Sequence, residues 1–185
     1  MGKEFELRIL KQYWLGDESE DLCSHGEIVL RVRNLMISSE EDGEWNISES
    51  ALALLRTVVA DFPCDQIPKY YVEGIQDEEY LIFHCGCYMM FCPMNIGWQV
   101  KHENAHVLLT DFKKNEGSIK FHNLEIKVPL SIYANEIYTF AIEAKQLYEG
   151  HQKKLIDNEL FQGQYHQFWE EYNELLEQVK TIVNT

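Results

Sequence analysis

The sequence predicts an α+β fold: a mainly antiparallel sheet with one buried central helix and two C-terminal helices. Three observations predict it. Short alternating apolar segments fill residues 1–128, a helical apolar pattern interrupts them at 48–62, and two longer helical patterns cover 131–149 and 163–182. Strands and helices segregated in this way favour an antiparallel sheet. The chain has 185 residues and no linker-rich stretch, so we expect a single domain over 1–185.

Strands are predicted where apolar residues recur at every second position or cluster between turn residues. They are expected at 4–10, 27–33, 35–38, 70–75, 79–92, 96–102, 105–109, 118–121 and 124–128. We expect 96–102 and 105–109 to form a hairpin that turns at Glu103 and Asn104. The segments 118–121 and 124–128 are expected to pair with each other around His122 and Asn123.

The central helix has the clearest sequence signals. Asn46 followed three residues later by Glu49 is a capping-box pattern, and Pro63 is expected to end the helix. Apolar residues cover more than half of its circumference, which predicts burial. The last helix has an aromatic stripe that includes Phe168, Trp169 and Tyr172, and we expect this stripe to pack in the core.

Charge is the most decisive feature of the composition. The formal net charge is −15, with 31 acids against 16 Lys and Arg. Nucleic acid and anionic membranes would be repelled by such a surface, whereas a basic protein would be attracted to it. The chain has no apolar run of transmembrane length and no secretory signal pattern at its start, so a cytoplasmic protein is expected. Five cysteines, an odd number, favour reduced thiols over a disulfide framework.

Acidic residues cluster in three predicted loops, where binding residues concentrate. The candidate partner-binding residues are Asp17, Glu18, Glu20, Asp21, Glu40, Glu41, Asp42, Glu44, Asp77, Glu78 and Glu79. If the loops lie at one end of the sheet, they form one negative patch. The alternative is that they are solvated turns that keep the protein in solution.

A literal H-E-x-x-H occurs at His102-Glu103-Asn104-Ala105-His106. The segment 102–112 resembles the metal-binding segment of thermolysin-like metalloproteases, which implies zinc held by two imidazoles with a glutamate as general base. That chemistry needs a helix, because only helical spacing puts both imidazoles on one face. The flanking residues alternate like strands, so we expect that His102 and His106 are not co-ligands.

A second set of candidate zinc ligands comprises Cys23, His25, Cys85, Cys87 and Cys92. Four such groups converging tetrahedrally would form a structural zinc site. The C-x-H and C-x-C spacings differ from the usual zinc knuckle, and free cysteines are among the most buried residues. Buried core thiols and no cofactor are therefore expected, with zinc as the alternative.

The segment Asp21-Leu22-Cys23-Ser24-His25-Gly26 is followed by Trp45, by 51–57, and by Cys85-Gly86 and Cys92-Pro93. In these residues the chain resembles a family of uncharacterised bacterial proteins of similar length. The resemblance implies a single bacterial domain and no known activity.

The sequence contains no dinucleotide, P-loop or nucleophile-elbow motif. We therefore expect a non-enzymatic acidic protein that binds a basic protein partner, in the manner of an immunity protein or antitoxin. The alternative is a zinc-binding protein, either structural or an H-E-x-x-H metallohydrolase.

Overall fold

A computed structural model describes residues 3–63, 80–84, 95–115, 117–149, 154 and 159–185, with only the backbone described for 159–164. In these residues nine strands and three α-helices form. The strands are β1 (Phe5–Tyr13), β2 (His25–Val32), β3 (Leu35–Ser38), β4 (Trp45–Asn46), β5 (Ile82–Phe83), β6 (Asn95–Glu103), β7 (His106–Lys114), β8 (Ile119–Lys120) and β9 (Ile126–Pro129). The helices are α1 (Ile47–Val59), α2 (Leu130–Gln146) and α3 (Glu159–Val183).

The strands form one antiparallel sheet with the order β1-β2-β4-β5-β6-β7-β8, in which β3 also pairs with β2 and β9 with β7. The helices α1 and α2 contact the sheet, and α3 packs on both of them. The fold is therefore α+β with a mainly antiparallel sheet, as predicted. The buried core joins residues from the sheet and all three helices, including Trp45, Trp98 and Tyr172.

The central helix α1 is almost fully buried, as its apolar pattern predicted. The Asn46 side chain accepts a hydrogen bond from the backbone N–H of Glu49 at 3.2 Å, so the predicted N-cap is present. The Glu49 carboxyl accepts hydrogen bonds from Cys23 and Ser48 inside the protein. The helix ends at Val59, before Pro63, and the Ala60 N–H bonds to the Arg56 carbonyl.

The two C-terminal helices pack through the stripe predicted for α3. Phe168, Tyr172 and Val179 are buried, and Trp169 is half-buried against the core. The Tyr172 hydroxyl donates to the backbone carbonyl of Ala141 in α2 at 2.7 Å. In the described part of the chain, no helix is both long enough and apolar enough to cross a membrane.

The hairpin predicted around residues 103 and 104 is confirmed by the pairing of β6 with β7. Asn104 has a φ of 54°, a left-handed conformation that asparagine adopts more readily than most residues. The pairing predicted between 118–121 and 124–128 is wrong. Both β8 and β9 pair with β7 instead, because β7 is nine residues long and offers an edge to each. The strand predicted at 70–75, and most of the one at 79–92, lie outside the described residues.

Candidate functional site

Two of the three acidic loops adjoin the strand β2: loop 14–24 joins β1 to β2, and segment 39–44 joins β3 to β4 along the other edge of β2. The residue Tyr13, at the end of β1, pairs with His25, and His25 pairs with Asn46 in β4. The two loops approach each other at His25, the first residue of β2, because the Asp21 and Glu44 carboxylates both raise the pKa of this histidine. The Tyr13 hydroxyl, at the end of β1 where the first loop begins, donates to Glu44 Oε1 of the second segment at 2.8 Å. Burial and this hydrogen bond raise the pKa of Tyr13 to about 12.

We call this region the acidic end. It comprises the carboxylates of the two described loops: Asp17, Glu18, Glu20, Asp21, Glu40, Glu41, Asp42 and Glu44. The remaining predicted partner-binding residues, Asp77, Glu78 and Glu79, lie outside the described residues.

Several of these acids hold the loops together. The Asp21 carboxylate accepts hydrogen bonds from the backbone N–H groups of Leu15, Gly16 and Cys23, at 2.9, 3.1 and 3.3 Å. The Asp17 carboxylate accepts from the backbone and hydroxyl of Ser19, which lowers the pKa of Asp17. These carboxylates therefore fix the conformation of the first loop and also give it negative charge.

In the second loop, Asp42 caps a single 3-10 turn by accepting from the Ser39 N–H at 2.8 Å. It also pairs with Lys114, whose buried amine donates to the Ile37 carbonyl at 3.1 Å. Asp42 therefore compensates an interior charge. In contrast, Glu18, Glu20, Glu40 and Glu41 are exposed residues.

A polar cluster lies inside the protein beneath the acidic end. The Cys23 thiol donates to Glu49 Oε1 at 2.7 Å, and the Ser48 hydroxyl donates to Glu49 Oε2 at 2.7 Å. The side chain of Asn46 is fully buried there, and its Nδ2 has no hydrogen-bond partner among the described residues. Burial raises the pKa of Glu49, and burial with the neighbouring Glu49 raises the pKa of Cys23. A thiol held in its protonated form is a poor nucleophile.

The sequence analysis does not predict this cluster, because the capping-box pattern alone accounts for the presence of Glu49 and gives no reason to place its carboxyl beside Cys23. One signal was present: Glu49 lies in the first turn of a helix that is apolar on most of its surface, so its carboxyl had little access to solvent. The contact with Cys23 itself depends on the β2–β4 pairing, which places residues 23 and 49 side by side.

The Cys/His set is only partly described. Cys23 points to Glu49 and is buried, as expected of a core thiol. His25 lies near His84. The pKa of His25 is lowered overall, chiefly by burial and also by His84, although the Asp21 and Glu44 carboxylates raise it. His84 directly precedes Cys85, but Cys85, Cys87 and Cys92 lie outside the described residues. Among the described residues, no group of three or more metal-ligating side chains is close enough to hold a metal ion.

The H-E-x-x-H residues lie on two strands and not on a helix. Glu103 pairs with His106 and His102 pairs with Val107, so the two imidazoles face opposite sides of the hairpin. The His102 ring contacts Asp61 through Nδ1 at 2.8 Å and the Val58 carbonyl through Nε2 at 3.1 Å. Hydrogen bonds from the His102 backbone and ring lower the pKa of Asp61. In this arrangement His102 links β6 to the end of α1.

A separate concave surface of about 380 Å³ lies over β6 and β7. Its lining includes Phe62, Gln99, Lys120 and Phe121 together with Asp111, which has a φ of 55° within a β-bulge of β7. None of the predicted site residues lines it.

The chain was compared with models of protein families, with curated proteins and with solved structures, and none of them matches. No activity or site residue is therefore carried over from a relative. This agrees with the resemblance noted in the sequence, which implied no activity.

Proposed function

We propose that this protein is a non-enzymatic binding protein, of the immunity or antitoxin type, that docks a basic protein partner at its acidic end. The observation that supports the proposal is the approach of two acidic loops near His25 and Tyr13, where Asp21 and Glu44 both act on His25 and Tyr13 donates to Glu44. A bacterial cytoplasmic setting is part of the same proposal.

The carboxylates of the acidic end fall into two groups, those that accept hydrogen bonds within the loops and those that are exposed. The internally bonded carboxylates of Asp17, Asp21 and Asp42 hold the loops in place. The exposed Glu20, Glu40 and Glu41 extend the negative field into solvent. Opposite charges of this kind mainly speed the association of two proteins and select the partner.

The non-enzymatic part of the proposal rests on the chemistry of the two best candidates for catalysis. Burial and the bond to Glu49 keep Cys23 protonated. His102 and His106 cannot share a metal ion within one hairpin, because they face opposite sides of it.

A triple variant tests the proposal: Glu20→Gln, Glu40→Gln and Glu41→Gln. These residues are exposed, so we expect the fold to remain intact. Capture of binding partners from a bacterial lysate should give a basic protein with the wild type at about 0.1 M salt and much less at about 1 M, where screening is stronger. The triple variant should capture less of the same protein at low salt.

The matched control changes the same net charge elsewhere, with Glu125→Gln, Glu174→Gln and Glu177→Gln, all exposed. It should capture as much partner as the wild type. If both triple variants behave alike, or if salt has no effect, the acidic end is not a docking surface and the proposal is wrong.

A second candidate function is zinc binding. The observation that favours it is the proximity of His25 and His84, since His84 adjoins the segment that contains Cys85 and Cys87. A ligand set built from Cys23, His25, Cys85, Cys87 and Cys92 would give a structural site.

Elemental analysis of the purified protein distinguishes the two candidates. The first proposal expects no stoichiometric zinc. One zinc per chain that is lost in Cys87→Ser or Cys92→Ser, but kept in His106→Ala, would instead establish the structural site. Zinc lost in His106→Ala would favour the H-E-x-x-H alternative.

A further inference from the structure

A lysine of the chain lies against the face of Trp14 at the acidic end, beside a second aromatic ring. Lys154 Nζ lies 3.6 Å from the centroid of the Trp14 ring and 5.7 Å from that of Tyr148. The two rings meet edge to face, with centroids 4.7 Å apart and planes at 86°. The same ammonium group donates a hydrogen bond to the backbone carbonyl of Glu18. A cation over a tryptophan ring is attracted by the ring quadrupole, whose face is negative, and this attraction is stronger for Trp than for Tyr or Phe.

Negative charge surrounds the same position. The carboxylates of Asp21, Glu18 and Asp17 stabilise the charged form of Lys154, although burial lowers the pKa of Lys154 more than they raise it. We call this arrangement the cation cage. It consists of the Trp14 and Tyr148 rings, the Glu18 carbonyl, and the carboxylates of Asp17 and Asp21.

The walls of the cage are held by contacts that do not involve Lys154. Asp21 bonds to the backbone of Leu15 and Gly16, next to Trp14. The Tyr148 hydroxyl donates to the Leu22 carbonyl at 3.2 Å, and its ring packs on Trp169 with centroids 4.5 Å apart. A preorganised cage would therefore remain in place if the lysine were replaced.

We propose that the cation cage is the docking point for a lysine side chain of the basic partner, and that Lys154 occupies it as an intramolecular competitor. This inference rests on the proposed function, because it names the group that the acidic end binds. An aromatic face beside carboxylates suits an ammonium ion, which is small and strongly charged. The partner is thus expected to present a lysine on an exposed basic segment.

Competition by Lys154 has a thermodynamic consequence. A partner lysine binds only the fraction of molecules in which the cage is vacant, so the apparent affinity is reduced by that fraction. Removing the Lys154 ammonium should tighten binding, whereas removing the aromatic wall should weaken it.

Binding of hexalysine to the 185-residue chain at low salt, measured by calorimetry, tests the inference. Lys154→Gln should bind hexalysine about fivefold or more tightly than the wild type, because the cation–π contact no longer has to be broken. Lys180→Gln is the matched control: it changes the net charge equally at an exposed position on α3. Its affinity should stay within about twofold of the wild type, as expected of a distant surface charge.

The aromatic wall is tested in the Lys154→Gln background. Adding Trp14→Leu should weaken hexalysine binding about tenfold, and adding Trp14→Phe, which keeps a ring, should weaken it less. If Lys154→Gln binds no more tightly than Lys180→Gln, the inference is overturned, whatever the Trp14 variants do.

The failures of the two proposals are distinguishable. In one outcome, hexalysine binding depends on salt and is weaker in the Glu20, Glu40 and Glu41 triple variant, but it is equal in Lys154→Gln and Lys180→Gln. This outcome would overturn the proposal for the cation cage and support the proposal that the acidic end is a docking surface. Binding that the triple variant does not weaken would overturn the docking surface itself.

Discussion

Asp42 and Glu41 are adjacent acids with different roles in the same loop. The Asp42 carboxylate bonds to the Ser39 N–H and pairs with the buried amine of Lys114. Glu41 is exposed, and its backbone N–H, not its carboxylate, contacts the Ser39 hydroxyl. The charge of Asp42 therefore stabilises the fold, whereas the charge of Glu41 contributes to the negative potential around the protein.

This difference predicts unequal effects on stability. Asp42→Asn should lower the free energy of unfolding by about 2–3 kcal/mol, because it leaves the interior Lys114 charge without an anionic partner. Glu41→Gln should change it by less than about 0.5 kcal/mol. Urea denaturation of both variants measures the effects, and equal losses would contradict the structural role of Asp42.

Glu49 predicts a specific pH dependence. Burial raises the folded-state pKa of Glu49 above its ordinary value of 4.5. A carboxyl shifted in this direction stabilises the fold below its unfolded-state pKa, and the contribution is lost as the pH rises through the folded-state pKa. Glu49→Gln cannot ionise, so it should gain stability relative to the wild type between about pH 5 and pH 8.

Denaturation of the wild type and Glu49→Gln at both pH values measures this shift. Glu174→Gln serves as the control for loss of an exposed carboxyl. A stability difference between wild type and Glu49→Gln that does not move with pH would mean that Glu49 does not titrate in this range.

Among the elements, α3 has its buried side chains on one face over the part whose side chains are described, 165–183. Its buried stripe packs on α2, and the Arg56 guanidinium in α1 bonds to both carboxylate oxygens of Glu171 at 2.7 and 3.1 Å. Trp169 contacts Tyr148, Tyr165, Phe168 and Tyr172 at the end of the helix nearest the cation cage.

Truncation of this face should therefore be costly. Trp169→Ala is expected to lower the free energy of unfolding by about 3 kcal/mol, near the lower limit for large aromatic residues because the side chain is only half-buried. Glu174→Ala, on the exposed face, should cost less than about 0.5 kcal/mol. A loss below about 1 kcal/mol for Trp169→Ala would show that the ring is not part of the core.

Elements defined by local patterns were predictable from the sequence. The strand β3 follows from a short apolar run that ends at turn residues, and the cap of α1 at Asn46 follows from the preference of asparagine for helix starts. The pairing of 118–121 with 124–128 was not predictable from such patterns. Both segments have suitable alternation, and only the length of β7 decides that each pairs with it and not with its neighbour.

On the scale of the whole molecule, the candidate site depends on contacts between residues far apart in sequence. Lys114 and Asp42 are 72 residues apart, and Lys154 bonds to Glu18 across 136 residues. The sequence identified the acidic loops but not which carboxylates face inward, since loop charge has no periodicity. It also gave no sign of the Trp14–Lys154 contact, because a single tryptophan and a single lysine form no recognisable pattern.

We propose that the acidic end is the surface that binds a basic partner. Mapping of ¹H–¹⁵N amide shifts during titration with hexalysine tests it most directly, because it locates the contact on the fold. We expect the largest shifts in 14–24 and 39–44, and we expect these shifts to shrink as salt screens the charges. Shifts spread evenly over the surface, or centred on the exposed glutamates of α3, would contradict it.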